Sequence, residues 1–343
     1  PPLETVMSQE RRRRDPDDLA ESLRELLRQG GLGFRAPDSG GVDPAGATAS
    51  PQANRGRDDL LQRLREFDLT PHDVRDYLDR FVISQDEAKR VLAVALCDHY
   101  HHVRRCLERG DDPNREFAKH NVLLLGPTGV GKTYLMRCAA RLIGVPFVKA
   151  DATKFSETGY VGYDVEDIVR DLVRIAGNDA AAAQYGIIYV DEIDKIAAPA
   201  QDAGRDVSGR GVQINLLKLM EETDVRLIGQ TDMLGQMQAI IALQTQGEAP
   251  QRTISTRHML FIVSGAFDRL PAIVRRRLGT TQIGFANAAD PDPDDRAAWL
   301  RRVETRDLVD VGFEPEFAGR LPVRVTLGEL SAADLERILT SAE

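Results

Sequence analysis

No stretch of roughly 18 uncharged apolar residues occurs in the 343-residue chain, which argues against a transmembrane span. No apolar signal core follows the opening Pro1-Pro2-Leu3-Glu4, and because residue 1 is not Met the natural N-terminus is expected elsewhere. Cysteine is scarce: Cys97, Cys106 and Cys138 are scattered, with no C-x-x-C pair. That pattern argues against zinc modules and disulfide frameworks and suits a reducing cytosol. A basic excess is missing too, since 45 Lys and Arg face 54 Asp and Glu, for a net charge of −9. A nucleic-acid-binding surface usually shows the opposite balance. There is no internal repeat. What remains is 42% hydrophobic and 29% charged, enough for a real core in one large domain or two, plus tails.

The chain is organised around an apolar run, Val122 to Leu125, followed at once by Gly126-Pro127-Thr128-Gly129-Val130-Gly131-Lys132-Thr133. These residues fit the phosphate-loop pattern G-x-x-x-x-G-K-[ST]. Glycines let successive N–H groups curl around an anion, and the helix expected from Tyr134 onward adds positive potential at its start. Lys132 is placed to reach the β- and γ-phosphates of ATP, and the Thr133 hydroxyl to bind Mg²⁺. With Tyr134, residues 126–133 are the nucleotide-contact candidates. A plain Gly-rich turn is the competing reading, opposed by the strand before it and the helix-forming run after it. Further on, Ile187-Ile188-Tyr189-Val190 runs into Asp191-Glu192, a Walker B arrangement. Asp191 at a strand end can hold Mg²⁺ beside Thr133, and Glu192 can polarise the water that attacks the γ-phosphate.

Residues 1–56 read as a flexible N-terminal appendage. One helix is expected over residues 15–28, from the spacing of Leu19, Leu23, Leu26 and Leu27, then a linker rich in Gly, Pro, Ala, Ser and Asp over residues 30–56. Residues 57–325 read as the ATPase domain. Thr70-Pro71 opens a helix, and a second carries Val91, Leu92, Val94, Ala95 and Leu96 at core spacing. His99, His101 and His102 near its end are read as an exposed helix end rather than a metal site, for want of further Cys or His ligands nearby. Strands are expected over residues 122–125, 145–150, 186–194, 257–265 and 323–327. Alternation with helices gives an α/β fold with a parallel sheet and its ligands at the strands' carboxyl ends.

Several segments, in order, resemble the ClpX/HslU family of AAA+ protein-unfolding ATPases over roughly residues 70–340. They are Phe81-Val82-Ile83-Ser84-Gln85-Asp86, the phosphate loop, Gly159-Tyr160-Val161-Gly162, Asp191-Glu192-Ile193-Asp194-Lys195, and Asp206-Val207-Ser208-Gly209 with Gly211-Val212-Gln213. The last is Glu316-Phe317-Ala318-Gly319-Arg320-Leu321-Pro322-Val323. The resemblance implies an AAA+ P-loop NTPase, a central parallel sheet flanked by helices, with residues 326–343 beginning a small α-helical lid domain. It implies that Val82 and Ile83 pack on adenine and that Ser264 aligns the attacking water. Arg320 falls at the family's arginine finger, supplied to a neighbouring subunit, which implies a homo-oligomeric, hexameric ring; an intrasubunit salt bridge is the competing reading. Tyr160 and Val161 match the pore loop that grips protein substrates, against ordinary packing. Ile283-Gly284-Phe285 matches the loop that docks on a ClpP-type peptidase, against a loop folded back on its own domain.

Departures limit what the resemblance carries. Residues 1–56 lack the cysteines of the family's zinc-binding N-domain, Ser84 stands where glycine is usual, and Tyr163 replaces a charged residue. The basic triplet of the second pore loop is not found in residues 229–252. Residues 152–155 and 262–267 lean toward HslU, whose inserted domain is missing. The sequence stops at Glu343, just after the lid is expected to begin, which reads either as a fragment or as an unusual protein; as it stands, it is expected to bind nucleotide poorly and assemble badly. The reading that results is a cytoplasmic, ATP-dependent unfoldase that threads polypeptides through a ring pore, delivers them to a peptidase and cuts nothing itself. A non-proteolytic remodeller, a DNA-directed motor and a non-hydrolysing scaffold compete with it.

Overall fold

Apolar runs buried on both faces build the sheet. β1 (Val122–Leu125), β2 (Phe147–Asp151), β3 (Ile187–Asp191), β6 (Leu260–Gly265) and β7 (Val323–Thr326) are all parallel, in the order β2-β3-β6-β1-β7. Successive side chains of a strand point to opposite faces. Leu123, Leu125, Ile188, Val190, Phe261 and Val263 therefore enter one core. Val122, Leu124, Ile187, Tyr189, Leu260 and Ile262 enter the other. The computed structural model describes residues 51–110, 119–155, 163–197, 207–227, 253–280, 292 and 295–341. The helix expected over residues 15–28, Tyr160 and Val161, and Ile283, Gly284 and Phe285 lie outside the described residues.

α1 (Pro51–Arg65) takes in residues 51–56, which the sequence reading gave to the linker, and buries Leu60 and Leu64. α2 (Pro71–Phe81) starts with a capping box between Thr70 and Asp73 and with Pro71 in its first turn. α3 (Asp86–Arg109) buries Leu92, Ala95 and Leu96, but Val94, expected in the core, is 57% exposed. Its far end is not exposed as expected. His99 and His102 are buried, because that end packs against the turn before β6, where His99 Nε2 meets the His258 carbonyl at 3.1 Å.

Between α2 and α3 the backbone passes through Ser84 (φ +57°) and Gln85 (φ +63°), both left-handed. Two side-chain contacts hold this bend to the end of the chain. The Ser84 hydroxyl donates to Asp334 on the last helix, and the Gln85 amide exchanges two hydrogen bonds with Gly328, at 2.9 and 3.0 Å.

The remaining helices are α4 (Lys132–Ile143), α5 (Asp167–Ile175), α6 (Ala180–Ala183), α7 (Val207–Met220), α8 (Leu270–Thr280), α9 (Arg296–Leu300), α10 (Thr305–Val311), α11 (Pro315–Gly319) and α12 (Ala332–Ser341). α8 and α10 are joined by Arg277, which reaches the fully buried Asp307 at 2.8 and 2.9 Å and Glu304 at 2.8 Å. β4 (Asp224–Arg226) and β5 (Thr253–Ser255) form an antiparallel pair that the sequence reading did not anticipate. Three residues are too few for alternation to show. Among the described residues no helix is long and apolar enough to cross a membrane.

Candidate functional site

β6 lies between β1 and β3, so the phosphate loop, Ser264 and Asp191 emerge side by side at the sheet's carboxyl edge. The loop's geometry demands all three of its glycines, Gly129 through its left-handed φ of +83°. A Cβ on Gly126 would stand 2.5 Å from the Leu327 carbonyl oxygen, and Gly131 takes φ +91° immediately before α4 begins. Lys132 and Thr133 are thereby the first residues of the helix, at its positive end. Lys132 Nζ donates to the carbonyls of Gly126 and Pro127, each at 2.7 Å, and its burial lowers its pKa. A cavity of about 550 Å³ extends from Thr128 and Gly129 past Asp191 and Glu192 to Arg296.

Asp191 is the hub of this site. It accepts hydrogen bonds from Ser264 Oγ at 2.6 Å, Thr133 Oγ1 at 3.3 Å and the Glu192 N–H at 3.1 Å, and pairs with Lys149 Nζ at 2.8 Å. Burial pushes its carboxyl up, but the hydrogen bonds from Lys149 and Ser264 outweigh this and hold it below the ordinary carboxylate range. The Tyr189 hydroxyl links Ser264, at 2.7 Å, to Thr133, at 3.3 Å.

Lys149 tests whether these groups suit a cation. Its ammonium contacts both Thr133 Oγ1, at 3.3 Å, and Asp191, so a positive charge already sits between a hydroxyl and a carboxylate. Such hard oxygen donors are what Mg²⁺ requires, and the residues fit it.

Glu192 is exposed beside Asp191, with φ +58°, and opens a 3₁₀ turn, Ile193–Ile196. Tyr134 lines the cavity and is 42% exposed. Val82 and Ile83 are buried at the end of α2, and Val130 is buried in the same core as Val82. None of these three lines the described wall of the cavity. Arg320 stands outside that wall too. It is half exposed and bound to Glu221 by Nη2 at 2.7 Å and Nε at 3.0 Å, so the intrasubunit salt bridge is present in this chain. Phe155 and Tyr163, the described residues on either side of 156–162, are joined by a backbone bridge and have rings 6.1 Å apart.

Three site residues escaped the sequence reading. Lys149 and Tyr189 sit on strands read only as apolar, and the sole signal for Lys149 was a charge in such a run. Arg296, which bonds the Ala266 carbonyl at 2.7 Å and Asp268 at 2.5 Å, had no signal in a loop region.

A profile of the AAA domain (Cdc48 subfamily) matches residues 118–324. A Porphyromonas gingivalis protein named ATP-dependent Clp protease ATP-binding subunit ClpX is 37% identical over 299 residues, covering 86% of this chain and 69% of that one. A protein of the same name from Borrelia duttonii is 40% identical over 276 residues, covering 80% of this chain and 61% of that one.

Proposed function

This chain belongs to the AAA+ ATPases of the ClpX type, and from that premise we propose that it hydrolyses ATP to unfold proteins and thread them through a ring for a ClpP-type peptidase. The observation that carries the chemistry is the convergence of Lys132, Thr133 and Asp191 on one cavity at the carboxyl edge, with the buried Ser264 bonded to Asp191 from behind. In this reading the phosphate loop's N–H groups and Lys132 bind the β- and γ-phosphates, and Thr133 and Asp191 hold Mg²⁺. The ion supplies charge neutralisation on the phosphate oxygens when bound. Ser264, expected to align the attacking water, is fully buried outside the cavity wall, and its role here is to keep Asp191 anionic and oriented. Glu192 accepts the proton of the attacking water. Val82 and Ile83 provide an apolar surface for the adenine.

Arg320 is assigned to the neighbouring subunit's γ-phosphate, which makes a homo-oligomeric, hexameric ring the working form. Its half-exposed position outside its own cavity supports that assignment, and the Glu221 pair then holds the guanidinium until the neighbour's phosphate competes for it. Tyr160 and Val161 are assigned to gripping substrate, on a loop whose ends Phe155 and Tyr163 draw together. Ile283, Gly284 and Phe285 are assigned to docking on the peptidase, and the cytoplasm is the proposed compartment.

The test is ATP-driven unfolding of a tagged fluorescent protein, with and without a ClpP-type peptidase. The expected outcome is a loss of fluorescence abolished by Glu192→Gln and by Tyr160→Ala, and irreversible only when the peptidase is present. ATP hydrolysis without unfolding of any tagged substrate would sink the unfoldase reading.

A further inference from the structure

At the opposite edge of the sheet from the phosphate loop, three metal-binding side chains converge. His102 and Cys106 are four residues apart on α3 and so share one face of the helix. His258 belongs to the turn before β6. The donor atoms of the three lie within 4.8 Å of one another, and His102 Nε2 is 3.4 Å from Cys106 Sγ. Zinc bonds of about 2.0–2.1 Å to nitrogen and 2.3 Å to sulfur put tetrahedral donors roughly 3.3–3.7 Å apart. One pair is therefore at ligand spacing already, and closing the triangle takes a shift on the order of an ångström. His258 is held in place, with its carbonyl against His99 and its ring stacked on Tyr185 at 5.7 Å. His102 and His258 are each 9% exposed, which shields the centre, while the partly exposed Cys106 leaves a way in.

We propose that His102, Cys106 and His258 form a site for a zinc-class divalent cation, with water in the fourth position, clamping the end of α3 to the start of β6. A thiolate with two imidazoles selects zinc over the magnesium that suits Asp191 and Thr133. Nothing in the ATPase chemistry uses these three residues. The site links two elements far apart in sequence, so a bound ion adds to the stability of the folded chain. Binding displaces the thiol proton, so affinity falls on acidification.

The test uses the untagged chain, stripped of metal, exposed to zinc, dialysed and analysed for metal content. A single zinc ion per chain is expected, together with a higher Tm and, with Co²⁺ in place of zinc, the absorption of a tetrahedral thiolate complex. Cys106→Ser and His258→Ala should lose all three, whereas Cys138→Ser should keep them. Cys106→Ser carries the test if His258→Ala does not fold, because replacing sulfur with oxygen preserves the shape of the side chain. Failure of the folded chain to retain zinc, or retention undiminished in Cys106→Ser, would overturn the proposal.

Discussion

Ser84 holds φ +57° without being glycine, and its hydroxyl is tied to Asp334. Ser84→Gly and Ser84→Ala both remove that tie, but only glycine relieves the left-handed backbone. The glycine variant should therefore be the more stable of the two by roughly 1–2 kcal/mol in urea unfolding. The tie also has a pH signature. Hydrogen bonds from Ser84 and Ser331 hold the Asp334 carboxyl at about 2, below its ordinary 3.8. A carboxyl depressed on folding stabilises above its unfolded pKa and loses that contribution as pH falls through the folded one. The stability gap between the native chain and Ser84→Ala should thus be constant above pH 3.8 and close as pH falls through about 2, as followed by acid titration. At this scale the sequence was legible where chemistry is bound to a pattern, as with Lys132, Thr133 and Asp191. It was silent on Lys149, Tyr189 and Arg296, whose place in the site depends on strands and helices meeting in space.

Among the elements, the junction of β1 with the phosphate loop has no room for a side chain at Gly126. Gly126→Ala would drive a Cβ into the Leu327 carbonyl just beyond β7. It should cost roughly 1–3 kcal/mol in urea unfolding. A displaced loop should also weaken binding of a fluorescent ATP analogue by about tenfold or more. The α8–α10 joint makes a different demand. Arg277→Met leaves the buried Asp307 carboxylate without its guanidinium partner, holding only the Glu304 N–H at 2.8 Å, and should destabilise by about 3 kcal/mol in urea unfolding. Strands announced themselves because a run such as Leu260-Phe261-Ile262-Val263 is apolar at every position. The helix carrying His99 and His102 was read correctly as a helix and wrongly as open at its end. Nothing along that helix encodes the turn at His258 that covers it, so its cover was illegible one segment at a time.

For the whole molecule, Arg320 outside its own cavity makes hydrolysis a property of the assembly in the proposed reading. Lys132→Ala subunits would offer an intact Arg320 without binding nucleotide, and Arg320→Ala subunits would bind it without a finger to receive. Each alone should be inactive in a phosphate-release assay, and mixing them before assembly should restore measurable turnover. Undiminished turnover in Arg320→Ala alone would put Arg320 in the role of a surface salt bridge, and a mixture as silent as its components would rule out donation to a neighbour.

The strand order has a further consequence, on the ribosome. β1 has β6 and β7 as its neighbours, and both follow it by well over a hundred residues. At synthesis rates of roughly 5–20 residues per second, β1 waits on the order of ten seconds for a partner. Through that interval Val122-Leu123-Leu124-Leu125 is a nascent apolar strand with both edges open, prone to stick to other chains. A protein proposed to unfold others thus begins its own life as a client for chaperones.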